Sequence, residues 1–224
     1  MQPVVIRLLG PPEILRDGRP VRVDTRKAVA LLAYLVLTGR PHSRDALAEL
    51  LWPGHDESHA RGALRRTLST LRGAVGDALE AGREQVALRP GALDVDVERF
   101  RAGALGDAEE AVALYRGDLL AGFALRDSAE FEHWVALEAD LLRRELAGAL
   151  DRAGELAADR RDWAGAIRAA RRRLELDPLQ ETAHRQLIGL LARSGDRAAA
   201  LAQYRECVRA LNRELGVGPL PETT

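Results

Sequence analysis

The sequence predicts an α+β chain: a small sheet, three helices and a hairpin over residues 1–97, then helices alone over residues 98–224. Three observations carry this. Short apolar runs broken by Gly10-Pro11-Pro12 and Asp17-Gly18 fill residues 4–23. Three stretches of helical apolar spacing follow, closed by Gly39, Pro53-Gly54 and Gly76. Beyond Asp107 only the helical period remains. A chain of 224 residues, 46% hydrophobic and 30% charged, suits two folded domains of about 100 residues each.

The elements read in order. Val4, Ile6 and Leu8 begin one strand, Ile14-Leu15 a second, and Val21-Arg22-Val23 a third across the Asp17-Gly18 turn. Thr25 caps a helix over 26–37, Ser43 caps a helix ending before Pro53, and a third helix spans about 57–75. Val86 and Leu88, then Leu93, Val95 and Val97, read as a hairpin across Pro90-Gly91. Helices are expected at 108–121, 129–158 (with a break near Gly148), 162–175, 180–194 and 197–215. Asp162-Trp163-Ala164-Gly165-Ala166 and Asp196-Arg197-Ala198-Ala199-Ala200 lie 34 residues apart, with Leu156 matching Leu190, Ala170 matching Tyr204 and Leu174 matching Val208. That period, with small residues early in the second helix, is the spacing of tetratricopeptide-like helical hairpins.

Composition excludes several classes. No stretch reaches the ~20 apolar residues a membrane span needs, and no basic-then-apolar leader opens the chain, so the default address is cytoplasmic. Cys207 is alone, so no internal disulfide forms, and its place beside Tyr204 and Leu211 reads as packing. No phosphate-loop, dinucleotide or nucleophile-elbow pattern occurs, and no nucleophile–base pair is evident, so no catalytic residue and no cofactor is expected. His55 and His59 have metal-pair spacing, but with no Cys or further His beside them they read as loop and helix-cap residues, and no metal is expected. Trp52, Trp134 and Trp163 adjoin apolar stripes and read as core.

Charge is informative only locally. The net charge is −1; residues 1–100 carry 15 basic and 13 acidic groups, and 101–224 carry 18 and 21. Lys27 is the sole lysine. On the third helix, taking about 100° per residue from Arg61, Leu64, Leu68, Leu71 and Val75 form an apolar stripe at roughly 280–340°. Arg65, Arg66, Ser69 and Thr70 fall opposite, with Arg61 and Arg72 flanking the stripe. Four arginines and no acid between 61 and 72 suit entry into a DNA groove, where guanidinium groups pair with guanine and hydroxyls reach phosphates or bases. Helix 43–51 would then brace it, giving a winged helix-turn-helix ahead of an all-α, tetratricopeptide-like domain. Arg26 and Lys27, at a helix start, are candidate phosphate contacts, and Arg83 and Arg89 candidate wing charges.

Ordered motifs then point to a family. They are Leu9-Gly10-Pro11-Pro12, Asp17-Gly18-Arg19-Pro20-Val21, Thr25-Arg26-Lys27-Ala28, Leu50-Leu51-Trp52-Pro53 and the run from Ala63 to Arg72. Ala113 to Leu120, Glu130-Phe131-Glu132-His133-Trp134 and Leu215-Gly216-Val217 continue the match. Together they resemble the Streptomyces antibiotic regulatory protein family of bacterial transcriptional activators. The resemblance implies an OmpR-like winged helix, then a bacterial transcriptional activation domain. It implies side-by-side homodimers on direct repeats of double-stranded DNA and recruitment of RNA polymerase holoenzyme, often at secondary-metabolite genes. It also places Arg61, Arg65, Arg66, Ser69, Thr70 and Arg72 on the DNA-reading helix. One departure stands out: the family's wing often carries Gly-Tyr-Arg-Leu, and here the stretch is Gln85-Val86-Ala87-Leu88. Family members either stop near this length or continue into ATPase and further repeat domains, so the chain reads as a complete regulator or as the N-terminal piece of one. The near-neutral charge supports a second reading, a helical-repeat interaction module of a larger regulator with weak or no DNA binding.

Overall fold

The structure, a computed structural model, describes residues 3–224. Packing divides the chain into two compact units: residues up to Ala102 with Ala113–Leu142, and Gly103–Val112 with Arg143–Thr224. The expected boundary at 97/98 is not where compactness separates them, and the reason lies in how the first sheet is completed.

In the first unit β1 (Val4–Arg7) pairs antiparallel with β2 (Glu13–Arg16), Val5 opposite Leu15, and β2 with β3 (Arg19–Pro20). Asp17 and Gly18 turn between them with φ of 51° and 74°, the left-handed pair that a two-residue hairpin requires. The third strand therefore closes at Arg19–Pro20, ahead of the Val21–Val23 run expected from hydropathy. Helices α1 (Arg26–Thr38), α2 (Arg44–Leu51) and α3 (Glu57–Val75) follow, N-capped by the side chains of Thr25, Ser43 and Asp56. Gly39, at φ 60°, ends α1. Their apolar faces bury Leu31, Leu35, Leu47, Leu51, Leu64 and Leu71.

The expected hairpin across Pro90-Gly91 does not form. Between α1 and α2 lies β4 (His42–Ser43), and after α3 come a 3₁₀ turn (Gly76–Ala78), β5 (Leu79–Ala81) and β6 (Gln85–Leu88), giving a sheet ordered β4-β6-β5. The hairpin is thus β5–β6, closed around residues 82–84 by Gly82 N–H donating to the Gln85 carbonyl. Past Pro90-Gly91 the chain changes sheet: β7 (Leu93–Val95) runs parallel to β1, which places Leu93 and Val95 in the first core. Val97, read as strand, instead lies in the first turn of α4 (Asp96–Leu105).

The junction that follows explains the boundary. The Asp96 carboxylate, buried, accepts from Leu8 N–H at 2.8 and 2.9 Å and from Leu9 N–H at 2.9 Å. The short α5 (Ala108–Leu114) stops well before residue 121, because the chain then runs along the end of β1. There Gly10 N–H donates to Asp118 O, Leu120 N–H to Leu8 O and Ala121 N–H to Gly10 O. Gly10 has φ 110°, a conformation L side chains rarely adopt, and it packs against Gly117, whose Cβ position would lie 3.4 Å from the Gly10 Cα. Residues 113–142 therefore belong with the sheet.

The second unit is helical. It holds the later part of α6 (Ala129–Asp159), then α7 (Trp163–Leu176), α8 (Glu181–Arg193) and α9 (Arg197–Leu215). Helix α6 passes Gly148 without the expected break. The 34-residue repeat is reproduced bond for bond. Asp162 and Asp196 cap α7 and α9 by accepting from Gly165 and Ala199 N–H, both at 2.9 Å. Their own amides donate to Ala157 and Leu191, and the preceding Arg161 and Gly195 both take left-handed φ, 60° and 91°. Ala166 and Ala200, equivalent by the repeat, are buried where neighbouring helices meet. Cys207 is buried, as packing requires. His184, on α8, accepts from Gln203 Nε2 at Nδ1 (2.8 Å), and its Nε2–H donates to Pro178 O (2.9 Å), tying α8 to α9. Among the described residues, no helix is long and apolar enough to cross a membrane.

This packing can be tested at two residues. Gly10→Ala should lower stability by about 1–2 kcal/mol, the usual cost of a left-handed L-residue, read as a shift in the urea midpoint; an unchanged midpoint would show that this turn accepts an L-residue without cost. His42, buried against Tyr34 with its Nε2 2.8 Å from Thr38 Oγ1, is held below its ordinary value of 6.5, first by burial and then by Arg40. The unfolded chain takes up that proton more readily, so the contribution is complete above pH 6.5 and is lost as pH falls through the lowered folded value. Wild type should lose more stability between pH 7.5 and 5 than His42→Gln; equal losses would remove His42 from the pH response.

Candidate nucleic-acid interface

Helix α3 is fixed at both ends. Asp56 Oδ1 accepts from His59 N–H (2.9 Å), and Arg16, from β2, donates to the carbonyls of Gly73 (2.9 Å) and Ala74 (2.7 Å) in the last turn. Both arrangements satisfy groups the helix cannot satisfy itself. The His55 and His59 rings lie 5.5 Å apart at this entry, with His59 in the first turn of the capped helix. No cluster of three or more potential metal ligands occurs among the described residues.

The buried arc of α3 is wider than the leucine stripe, for Ala60, Ala63, Thr67 and Ala74 are buried beside Leu64, Leu68, Leu71 and Val75. The outward arc carries the expected side chains, but they differ in what they touch. Arg65, Arg66 and Ser69 are exposed, and neither arginine has an ion pair or side-chain hydrogen bond among the described residues. Thr70, half-buried, donates to the Arg66 carbonyl at 3.2 Å, the ordinary back-bond of a helical threonine. Arg61 is held by two carboxylates, its Nε 2.9 Å from Asp45 Oδ1 and its Nη2 2.7 Å from Glu57 Oε1. That hydrogen bond holds the Asp45 carboxyl below its usual range. Arg72 turns toward the second sheet and donates to Leu79 O at 3.2 Å.

The remaining candidates divide in the same way. Arg26 is exposed, with its guanidinium 5.4 Å from the centre of the Phe123 ring. Lys27 is not free for a phosphate. Its side chain is 15% exposed, and its ammonium pairs with Asp127 at 2.8 Å, donates to the Leu51 carbonyl and lies 5.4 Å from the Trp52 ring. A compact ammonium suits this work of capping the C-terminal carbonyl of α2. Ser128, fully buried, donates to the neighbouring Leu50 carbonyl at 2.6 Å. Arg83 stands exposed at the tip of the β5–β6 hairpin, the position of a wing. Arg89 is occupied at the hairpin base by Glu80 and the Asp77 carbonyl.

Sequence reasoning missed Arg44. Its backbone N–H donates to Glu84 O and its Nε to Gly82 O, both at 2.9 Å, so the first residue of α2 holds the hairpin tip in place. The signal was unreadable, because the two-residue β4 that brings α2 to the hairpin is too short to show any period. Trp52 and Trp134 are half-buried instead of sealed in the core, and Trp134 packs edge-on to Tyr34 with ring centres 4.8 Å apart.

Comparison with known proteins accords with this architecture. Residues 94–224 match the bacterial transcriptional activator domain family. The transcriptional regulatory protein EmbR of Mycobacterium bovis and of Mycobacterium tuberculosis is 42% identical over 72 residues, 32% of this chain and 19% of theirs. The structure of Mycobacterium tuberculosis EmbR in complex with a low-affinity phosphopeptide superposes with a TM-score of 0.73 and 27% identity, over 100% of this chain and 63% of that one. The chain thus spans less than two thirds of the length of the relatives it matches. The N-terminal sheet with its helices and the all-helical remainder are shared with that structure. The chain belongs to the bacterial transcriptional activator domain family, among the regulators of the Streptomyces antibiotic regulatory protein type that its motifs resemble, and so to a family of regulators rather than enzymes.

Proposed function

We propose that the chain activates transcription by reading double-stranded DNA with α3 and by presenting its helical unit to RNA polymerase. The observation that carries this reading is the outward face of α3, where Arg65, Arg66 and Ser69 are exposed and both arginines lack internal partners among the described residues. Charged groups that no carboxylate neutralises, on a helix fixed at both ends, suit recognition of phosphates and base edges. The wing-tip Arg83 lines a cleft with Arg65 within the N-terminal unit, and Arg26 is exposed at the start of α1. Thr70 stands at its edge, and Arg61 and Arg72 serve first as internal struts.

Family membership supports regulation of transcription. Binding as a homodimer to direct repeats, recruitment of the polymerase holoenzyme and control of secondary-metabolite genes are the finer parts of the proposal and rest on the motif resemblance. The competing reading, an interaction module without DNA affinity, is favoured by the net charge of −1.

Anisotropy titration with duplexes selected from a random-sequence pool separates the two. Wild type should bind with an affinity that falls steeply as salt rises. The double variant Arg65→Ala/Arg66→Ala should weaken binding by about 1–3 kcal/mol for each base pairing that the truncation removes; unchanged affinity would reject α3 as the reading helix. Lys27→Ala should behave in the opposite way. It should lower stability by about 1.5–3 kcal/mol, the range for hydrogen bonds to charged groups, yet leave the salt dependence of binding alone. A reduced salt slope in a stable Lys27→Ala protein would return Lys27 to the phosphate contacts.

A further inference from the structure

A cleft of about 490 Å³ opens on the N-terminal unit where the start of α2, the first half of α3 and the tip of the β5–β6 hairpin meet. Four arginines line it, Arg44, Arg61, Arg65 and Arg83, together with Asp45 and Glu84. Internal bonds sort the four into two pairs. Arg44 holds the hairpin tip, and Arg61 holds Asp45 and Glu57. Arg65 and Arg83 make no ion pair among the described residues, and they reach the cleft from separate elements. Two uncompensated cations brought to one cleft repel each other, and an anion between them reverses the sign of that interaction.

We propose that this cleft seats a single backbone phosphate of the duplex between Arg65 and Arg83, so that Arg65 positions the protein while Arg66 and Ser69 read the bases. The inference rests on the DNA-binding reading above and assigns separate tasks within it. Side chains that read bases project from a helix into the groove, whereas those facing neighbouring elements meet the backbone beside it. Arg65 lies about 100° from Arg66 around α3, toward α2 and the hairpin. Arg66 lines no part of the cleft.

The guanidinium fork matches two phosphate oxygens, and a site built from two elements fixes the register of the helix on the duplex. Asp45 does little to repel the phosphate, because Arg61 covers it at 2.9 Å. Glu84 is the one carboxylate of the cleft without an ion pair among the described residues, so it opposes the anion.

The test uses the full chain, a duplex selected from a random pool with the wild-type protein, and a scrambled duplex of the same length and composition. Arg65→Ala and Arg83→Ala should each weaken both duplexes by the same factor, and neither should lower the slope of log affinity against log salt by more than about 0.9. The double variant should lose about 0.9, one phosphate's worth, since the two arginines share that phosphate. Arg65→Lys should keep the slope, and Glu84→Gln should tighten both complexes. Arg66→Ala should instead lower the ratio between selected and scrambled duplexes by roughly fivefold or more.

Loss of that ratio in Arg65→Ala with an unchanged slope would overturn the assignment, as would a double variant that loses two phosphates' worth of slope. A wild type that binds neither duplex in a salt-dependent way would remove the DNA-binding reading itself. That result is distinct from wild-type binding that survives while the slope of the double variant stays put.

Discussion

One buried carboxylate organises the N-terminal unit. Asp96 lies 88 residues from Leu8 in sequence, yet its two oxygens take up the amides of Leu8 and Leu9 at the end of β1. Those amides have left the strand pairing with β2, so without Asp96 they would be buried donors lacking acceptors, each costing about 1–3 kcal/mol. Burial pushes the Asp96 carboxyl above its usual range, against the pull of the Leu8 and Leu9 amides and of Arg116. Because the same residue directly follows β7 and begins α4, the first sheet cannot be completed until the chain has reached residue 95. The return of residues 116–121 along Leu8–Gly10 extends that dependence further. An N-terminal unit cut at residue 97 would lose this layer.

The same economy separates structural from available charge. Thirty-three basic residues are nearly matched by thirty-four acidic ones, so the surface has no general positive field. Among the described residues, charge open to a partner remains where arginines escape pairing. Arg16, Arg44, Arg61 and Arg72 commit their hydrogen bonds to holding α3 and the hairpin, and this fixes the helix on which Arg65 and Arg66 have no ion pair among the described residues. Rigid presentation and available charge therefore come from neighbouring residues of one type with opposite duties.

What was legible follows from the range of the forces involved. The ends of α1, α2 and α3 could be read because caps and apolar spacing are local: Thr25, Ser43 and Gly39 act on their own helices. The 34-residue period was legible for the same reason. The strands β4 and β5 were not, since two or three residues hold no period and their partners lie far along the chain. Leu93, Val95 and Val97 alternate as one strand would, yet the helix begins between the last two at Asp96, whose role depends on distant amides. The α3 face was found from its arc alone, but arc position cannot tell Arg65 from Arg61, because Asp45 sits on another helix. Lys27 looked like a phosphate contact for want of any local sign of Asp127, 100 residues away.

The two matched turns at Arg161-Asp162 and Gly195-Asp196 make length a quantised property of the helical unit. Each turn carries its own cap and its own left-handed residue, and each buried alanine meets the adjoining helix at the same phase. Insertion or removal of 34 residues would leave every such junction in step, whereas any other change would rotate one helix face out of its neighbour's reach. Such a unit can therefore grow or shrink by whole steps, while the sheet-bearing unit, closed by contacts across nearly ninety residues, can change only as a whole.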